Sequence, residues 1–211
     1  LRVLGCFPSW DRIALVVSKD LGIHSLQDIV ERKIPLRVST RMSGVNNGTY
    51  FTISTILSLF GFSFEKIKRW GGRVQECGRP FAQERLTAIT KRSIHAVFDE
   101  GVSTPGGWLD QALDNGYEVI PLEDPVLKKL EQIGYTKTVL PKSRYPQFKE
   151  DVLTIDYSGW ALVTHRWLPD DVAYAVIQTI DERQRVIPID DDQPLDMTNL
   201  CRSTDKCPLQ I

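Results

Sequence analysis

Between Ile13 and Ile120, apolar runs of strand length alternate with segments whose apolar residues recur at helical spacing. This alternation constrains the chain more than any other feature. Each helix needs a sheet face to cover, and strands joined through helices tend to lie parallel. Ile13–Ser18 (IALVVS) is a continuous apolar run, as a buried parallel strand would be. Ser25 stands before Leu26, Ile29 and Val30, with Asp28 three residues on, in the pattern of a capping box. Leu36–Ser39 is the next strand. Thr49–Phe60 is a helix expected to bury Phe51, Ile53, Ile56, Leu57 and Phe60, with Gly61 as its stop.

The pattern continues through an edge strand near Arg73–Glu76, a helix over Phe81–Thr90 and a strand over Ile94–Phe98. A helix over Trp108–Asn115 and a strand over Tyr117–Pro121 follow. The Asp124–Gly134 helix carries Pro125 at its start, where a missing N–H is harmless. Beyond it lie strands at Thr136–Leu140, Val152–Asp156 and Trp160–Thr164, then a helix over Asp170–Arg185. The tail from Ile187 is rich in Pro and Asp and reads as irregular. The expected fold is α/β with a largely parallel sheet. The polar stretch 141–151 (PKSRYPQFKED) reads as a crossing between two lobes.

Composition removes several function classes. With 211 residues, 42% apolar and 25% charged, the chain can bury a sizeable core. A net charge of −1 gives no support to a nucleic-acid partner. No apolar run is long enough to span a bilayer as a helix. Cys6, Cys77, Cys201 and Cys207 form no CxxC pair, and His24, His95 and His165 are isolated, so no metal site is expected. Cys201 and Cys207 are candidates for a small disulfide loop or for free thiols. P-loop, GxGxxG and GxSxG motifs are absent, and no cofactor is expected. The chain opens at Leu1 in a strand-like run, which reads as the interior of a longer protein or a processed one.

The loop after Leu36–Ser39 leads straight into a helix, whose first amides lie outside the intrahelical ladder and attract anions. Asn46, Asn47, Gly48 and Thr49 are therefore candidate ligand contacts, although the same residues also suit a plain cap and turn. Arg41 is a candidate for a bidentate pair with a carboxylate. Asp99 and Glu100 follow a strand at its carboxyl end, where open α/β sheets place ligands. Trp70 and Trp160 are candidate aromatic walls, and Ser158 with Gly159 a candidate hinge or cleft position.

Several stretches resemble a known family. The Gly48-Thr49 turn and its helix to Gly61, GIHSLQDIVERKIPLRVST, SIHAVFDEG and LEQIGYTKTVLPKSRYP occur in the order seen in the TAXI solute receptors of TRAP transporters. The similarity runs from about Arg2 to Arg185. It departs at Ser43-Gly44-Val45-Asn46-Asn47, which replaces a more compact loop, and at Ser93-Ile94-His95, where Gly-x-Asp is usual. The resemblance implies a periplasmic-binding-protein type II-like α/β fold, with one complete lobe over 36–151. Residues 1–35 and 152–211 would supply hinge strands and part of a first lobe. It further implies an extracytoplasmic receptor, not an enzyme. Such a receptor would hold a small, anionic organic ligand or an amino acid in an interlobe cleft and deliver it to membrane transporter subunits. The alternatives are an enzyme on the same scaffold or the effector-sensing domain of a transcription regulator.

Overall fold

The computed structural model describes residues 1–7, 9–44 and 47–187. Contacts divide the described residues into two units, one over Arg12–Asp156 and one built from the described parts of Leu1–Asp11 and of the chain after Asp156. The expected boundaries at 35/36 and 151/152 therefore move. Residues 12–35 and 152–156 join the larger unit, because their strands are built into it.

In chain order, β1 (Arg2–Phe7) belongs to the smaller unit. The larger unit then runs through β2 (Ala14–Ser18), α1 (Leu26–Glu31), β3 (Arg37–Arg41), α2 (Gly48–Leu59) and α3 (Phe64–Arg69). It continues through β4 (Arg73–Cys77), α4 (Gln83–Thr90), β5 (Ala96–Asp99), α5 (Trp108–Asp114) and β6 (Tyr117–Ile120). It ends with α6 (Asp124–Gln132), β7 (Thr136–Leu140) and β8 (Val152–Asp156). Five strands form one mixed sheet in the order β4-β3-β5-β2-β6. β3 runs parallel to β4 and β5, whereas β2 is antiparallel to both β5 and β6. The expectation of a parallel strand at Ile13–Ser18 is thus corrected. All five residues of β2 are buried, as its apolar run requires. Burial on both faces specifies a central strand but carries no information on its direction.

Local signals account for the helix ends. The Ser25 hydroxyl accepts from the Asp28 amide at 3.0 Å, and the Asp28 carboxylate accepts from the amides of Ser25 at 3.0 Å and His24 at 2.8 Å. This completes a capping box. Those backbone donors favour the charged form and draw the Asp28 carboxyl below the usual range. α2 closes at Gly61 (φ 78°), with Phe62 N–H donating to Leu57 and Gly61 N–H to Ser58. Its buried face is Thr49, Thr52, Ile53, Ile56 and Leu57. Phe51, expected inside, is 68% exposed, because it lies about 200° around the helix from Thr49. The segment 141–151 links β7 to β8 within the larger unit and is not a crossing between units. Its Tyr145 is buried, and its hydroxyl donates to the Val102 carbonyl at 2.6 Å.

In the smaller unit β1 pairs antiparallel with β9 (Trp160–Thr164), with a register shift between Val3 and Gly5. α7 (Asp170–Arg183) follows, burying Ala173. Asn46, the tail beyond 187 and the Cys201–Cys207 pairing lie outside the described residues. Cys77 is buried and forms no disulfide among the described residues.

Candidate functional site

Because β3, β4 and β5 are parallel, their carboxyl ends share one edge of the sheet, and Arg41 stands opposite Cys77 in register. Arg41 closes β3 with its side chain 13% exposed. Asp99 closes β5 with its side chain fully buried, and Glu100 follows it at 6% exposure. The Arg41 Nε lies 3.8 Å from Asp99 Oδ1, and its Nη2 lies 3.4 Å from Glu100 Oε1.

A second guanidinium joins them from α4. Arg85 shares the inward face of that helix with Ala88 and Ile89, at the i, i+3, i+4 spacing of a buried stripe. It is fully buried and in close contact with Asp99 through Nη1. Its Nε donates to Ser39 Oγ at 3.0 Å and its Nη1 to the Pro80 carbonyl at 3.1 Å. A charge inside a protein persists only when paired, and Arg85 and Asp99 meet that condition for each other. Burial pushes the Asp99 carboxyl above the usual range, and the guanidinium groups of Arg85 and Arg41 hold back part of that rise. Three N–H-bearing atoms of the cluster, Arg41 Nε, Arg41 Nη1 and Arg85 Nη2, are buried without a hydrogen-bond partner among the described residues.

The surrounding loops are held by hydrogen bonds that involve side chains. Glu100 N–H donates to Asp99 Oδ1 at 2.8 Å, and the Trp108 indole donates to the Glu100 carbonyl at 2.7 Å. The Thr40 hydroxyl donates to the Phe98 carbonyl at 3.0 Å, tying β3 to β5 beside the site. Gly101 takes a left-handed conformation (φ 75°) against Pro80, where a Cβ would come within 2.7 Å of the proline ring. Ser43 donates from its amide (2.9 Å) and its hydroxyl (3.0 Å) to Glu76, anchoring the loop after β3 to β4. Met42 and Phe81 carry exposed apolar surface on the loops that follow β3 and β4.

The residues singled out from the sequence fall into three groups. Arg41, Asp99 and Glu100 come together. Asn47, Gly48 and Thr49 form the start of α2. Asn47 is its cap, with Oδ1 accepting from the Tyr50 amide at 3.0 Å, so that oxygen is engaged by the helix. Trp70 is not with them. It caps α3 just before the amino end of β4 and stacks on Phe62 with ring centroids 6.2 Å apart. Ser158 and Trp160 belong to the smaller unit. There the Ser158 hydroxyl exchanges hydrogen bonds with the Asp11 backbone at 3.0 and 3.1 Å, and Trp160 is 57% exposed. Arg85 was not among the expected site residues. Its signal is a lone cation on the apolar stripe of an otherwise ordinary helix.

Two cavities of the same unit lie elsewhere. One of about 400 Å³ is lined by Arg37, Arg73, Glu84 and Ser93, and one of about 450 Å³ by Lys19, Tyr117, Phe148 and Asp151. Neither is lined by a residue of the charged cluster. Among the described residues no group of three or more His, Cys, Asp or Glu is placed to hold a metal ion.

The NMT1-like family matches residues 1–188. No curated protein matches the chain. Solved structures that match the chain include an ancestral arginine-binding protein bound to glutamine, at 11% identity and a TM-score of 0.38 over 84% of this chain and 57% of that one. The L-cystine solute receptor of Neisseria gonorrhoeae, in its unliganded open conformation, matches at 15% identity and a TM-score of 0.32 over 86% of this chain and 56% of that one. A glycine betaine/carnitine/choline ABC transporter structure matches at 14% identity and a TM-score of 0.36 over 89% and 49%. The chain thus spans about half to three fifths of the length of these proteins.

Proposed function

The chain belongs to the NMT1-like family, and we propose that it is a solute-binding module of the periplasmic-binding-protein type II kind. It holds a small organic ligand with an acidic group at the carboxyl ends of β3 and β5, and it carries out no chemistry on that ligand. The observation that carries this reading is Arg41. Its side chain is 13% exposed, yet Nε and Nη1 lack hydrogen-bond partners among the described residues. Buried N–H groups left unpaired are costly, and an acidic oxygen would satisfy them with charge-assisted bonds. Glu100 and the Asn47–Thr49 helix start supply further polar groups on the segments that follow β5 and β3.

The same proposal places the protein outside the cytoplasmic membrane as the receptor of an uptake system, handing its ligand to membrane subunits. The order of sequence stretches supports the TAXI type of such receptors. Among the described residues no helix is long and apolar enough to cross a membrane. The test is a thermal-shift screen of dicarboxylates, amino acids and aromatic acids, followed by titration calorimetry on the best binder. Arg41→Gln is expected to lower its affinity by at least about tenfold, or 1.4 kcal/mol, with near-UV circular dichroism retained. An affinity equal to the wild type would remove the strand-end site.

A further inference from the structure

A pair of cations lies at the other end of β3. Arg37 opens that strand and Arg41 closes it, about 13 Å apart at the usual rise per residue. Arg37 stands directly opposite Arg73 in the parallel register of β3 and β4. Side chains at such positions leave the sheet on the same face, from backbones about 4.8 Å apart. That face is the α4 side, because Ser39, two residues after Arg37, accepts from Arg85 of α4. Like charges held opposite each other are destabilising until something neutralises them. Neither guanidinium forms an ion pair among the described residues. Arg37 Nε donates to the Ser93 carbonyl at 2.8 Å, which fixes the plane of its fork.

The two arginines line the cavity of about 400 Å³ together with Gln75, Glu84, Thr87 and Ser93. That volume is in the range of small-molecule sites. Independently of the strand-end site, we propose that this cavity binds a small phosphate monoester. A carboxylate offers two coplanar oxygens and saturates one guanidinium fork. A phosphoryl group offers three oxygens out of one plane and meets two forks side by side. It also carries a charge of about −1.5 to −2 at neutral pH, enough to relieve the repulsion between Arg37 and Arg73. Glu84 lines the same cavity and forms no ion pair among the described residues. Its carboxylate disfavours further negative charge there, so the organic part of the ester is neutral and hydroxylated. Gln75, Thr87 and Glu84 are the polar partners for those hydroxyls.

The experiment uses the full chain in titration calorimetry at about 0.15 M salt, where exposed charges alone attract weakly. The probes are glycerol 3-phosphate, ribose 5-phosphate and glucose 6-phosphate, with inorganic phosphate and succinate as comparators. At least one ester is expected to bind at least about tenfold more tightly than either comparator. The Arg73 side chain has no hydrogen bond or ion pair to lose among the described residues. Arg73→Gln is therefore expected to keep the fold and to weaken the ester at least about tenfold, with Arg73→Lys between the two. Histidine ring signals in NMR locate the binding. His95 accepts from the Arg37 amide, so its signal is expected to move on saturation while those of His24 and His165 stay. Arg41→Gln is expected to leave ester affinity within about twofold. Failure of all three esters to bind overturns the proposal, as does a comparator that binds as tightly as the best ester. An affinity unchanged in Arg73→Gln or a His95 signal that stays still also overturns it. Ester binding lost in Arg41→Gln overturns it too, and places the ester at the strand ends.

Discussion

At the scale of single residues, Arg85 and Asp99 show why a buried charge is tolerated and how much depends on its partner. Both side chains are fully buried. Taking away one member of such a pair leaves the other charged and unpaired, which costs about 3–5 kcal/mol. Arg85→Met is therefore expected to lower the unfolding free energy by that order. The double variant Arg85→Met with Asp99→Asn is expected to recover part of the loss, since it removes the stranded carboxylate. Urea denaturation of both variants reads the difference, and equal stabilities would mean that the pair is not coupled. Asp99 and Glu100 were legible in the sequence because they follow an apolar strand. Arg41 was legible because it closes another. Their mutual pairing was not, because distances between side chains depend on strand order. Arg85 was harder still, since a cation on a helix is usually solvated and nothing nearby in the sequence names its partner, 14 residues away on β5.

At the scale of elements, the join between β3 and β5 carries a titratable group. The Arg37 amide donates to His95 Nδ1 at 3.2 Å, and the His95 amide donates to the Arg37 carbonyl at 2.6 Å. Burial, aided by the Arg37 charge, lowers the His95 imidazole below the usual histidine value. A protonated Nδ1 could no longer accept from Arg37. In the window between the lowered folded value and the ordinary one, the unfolded chain binds the proton and the folded chain does not. The stability contributed by neutral His95 is thus fully present above the ordinary histidine range and is lost as pH falls through that window. Chemical denaturation from pH 7.5 downward should show this slope, and His95→Gln should flatten it. A slope unchanged in the variant would assign it to other groups. Elements with local signals are legible in the sequence, as the Ser25 box and the Gly61 stop illustrate. The direction of β2 is not, because it is set by its neighbours, β5 and β6, more than 70 residues along the chain.

For the molecule as a whole, the sequence suggests a division at 35/36 and 151/152, since α/β alternation looks uniform across those points. The actual division follows pairing. All five strands of the mixed sheet, and the β7–β8 pair, lie within Arg12–Asp156. The two ends of that segment also meet each other: Arg12 and Asp156 form a β-bridge, and their side chains form an ion pair at 2.8 Å. A unit whose ends are adjacent, and whose sheet needs no strand from outside it, has the anatomy of an independently folding domain. Its buried residues include Ile13 to Val17, Ala96 to Phe98, Trp108 and Leu127, drawn from central strands and covering helices alike. The segment Arg12–Asp156, expressed alone, is therefore expected to give one cooperative urea transition and a mixed α/β far-UV spectrum. It should also retain the proposed strand-end site, so the best binder of the thermal-shift screen should still bind, within about tenfold of the full chain. A non-cooperative or molten segment would show that the sheet depends on Leu1–Asp11 or on the chain after Tyr157. A folded segment that loses binding altogether would show that the residues at the strand ends supply only part of the site.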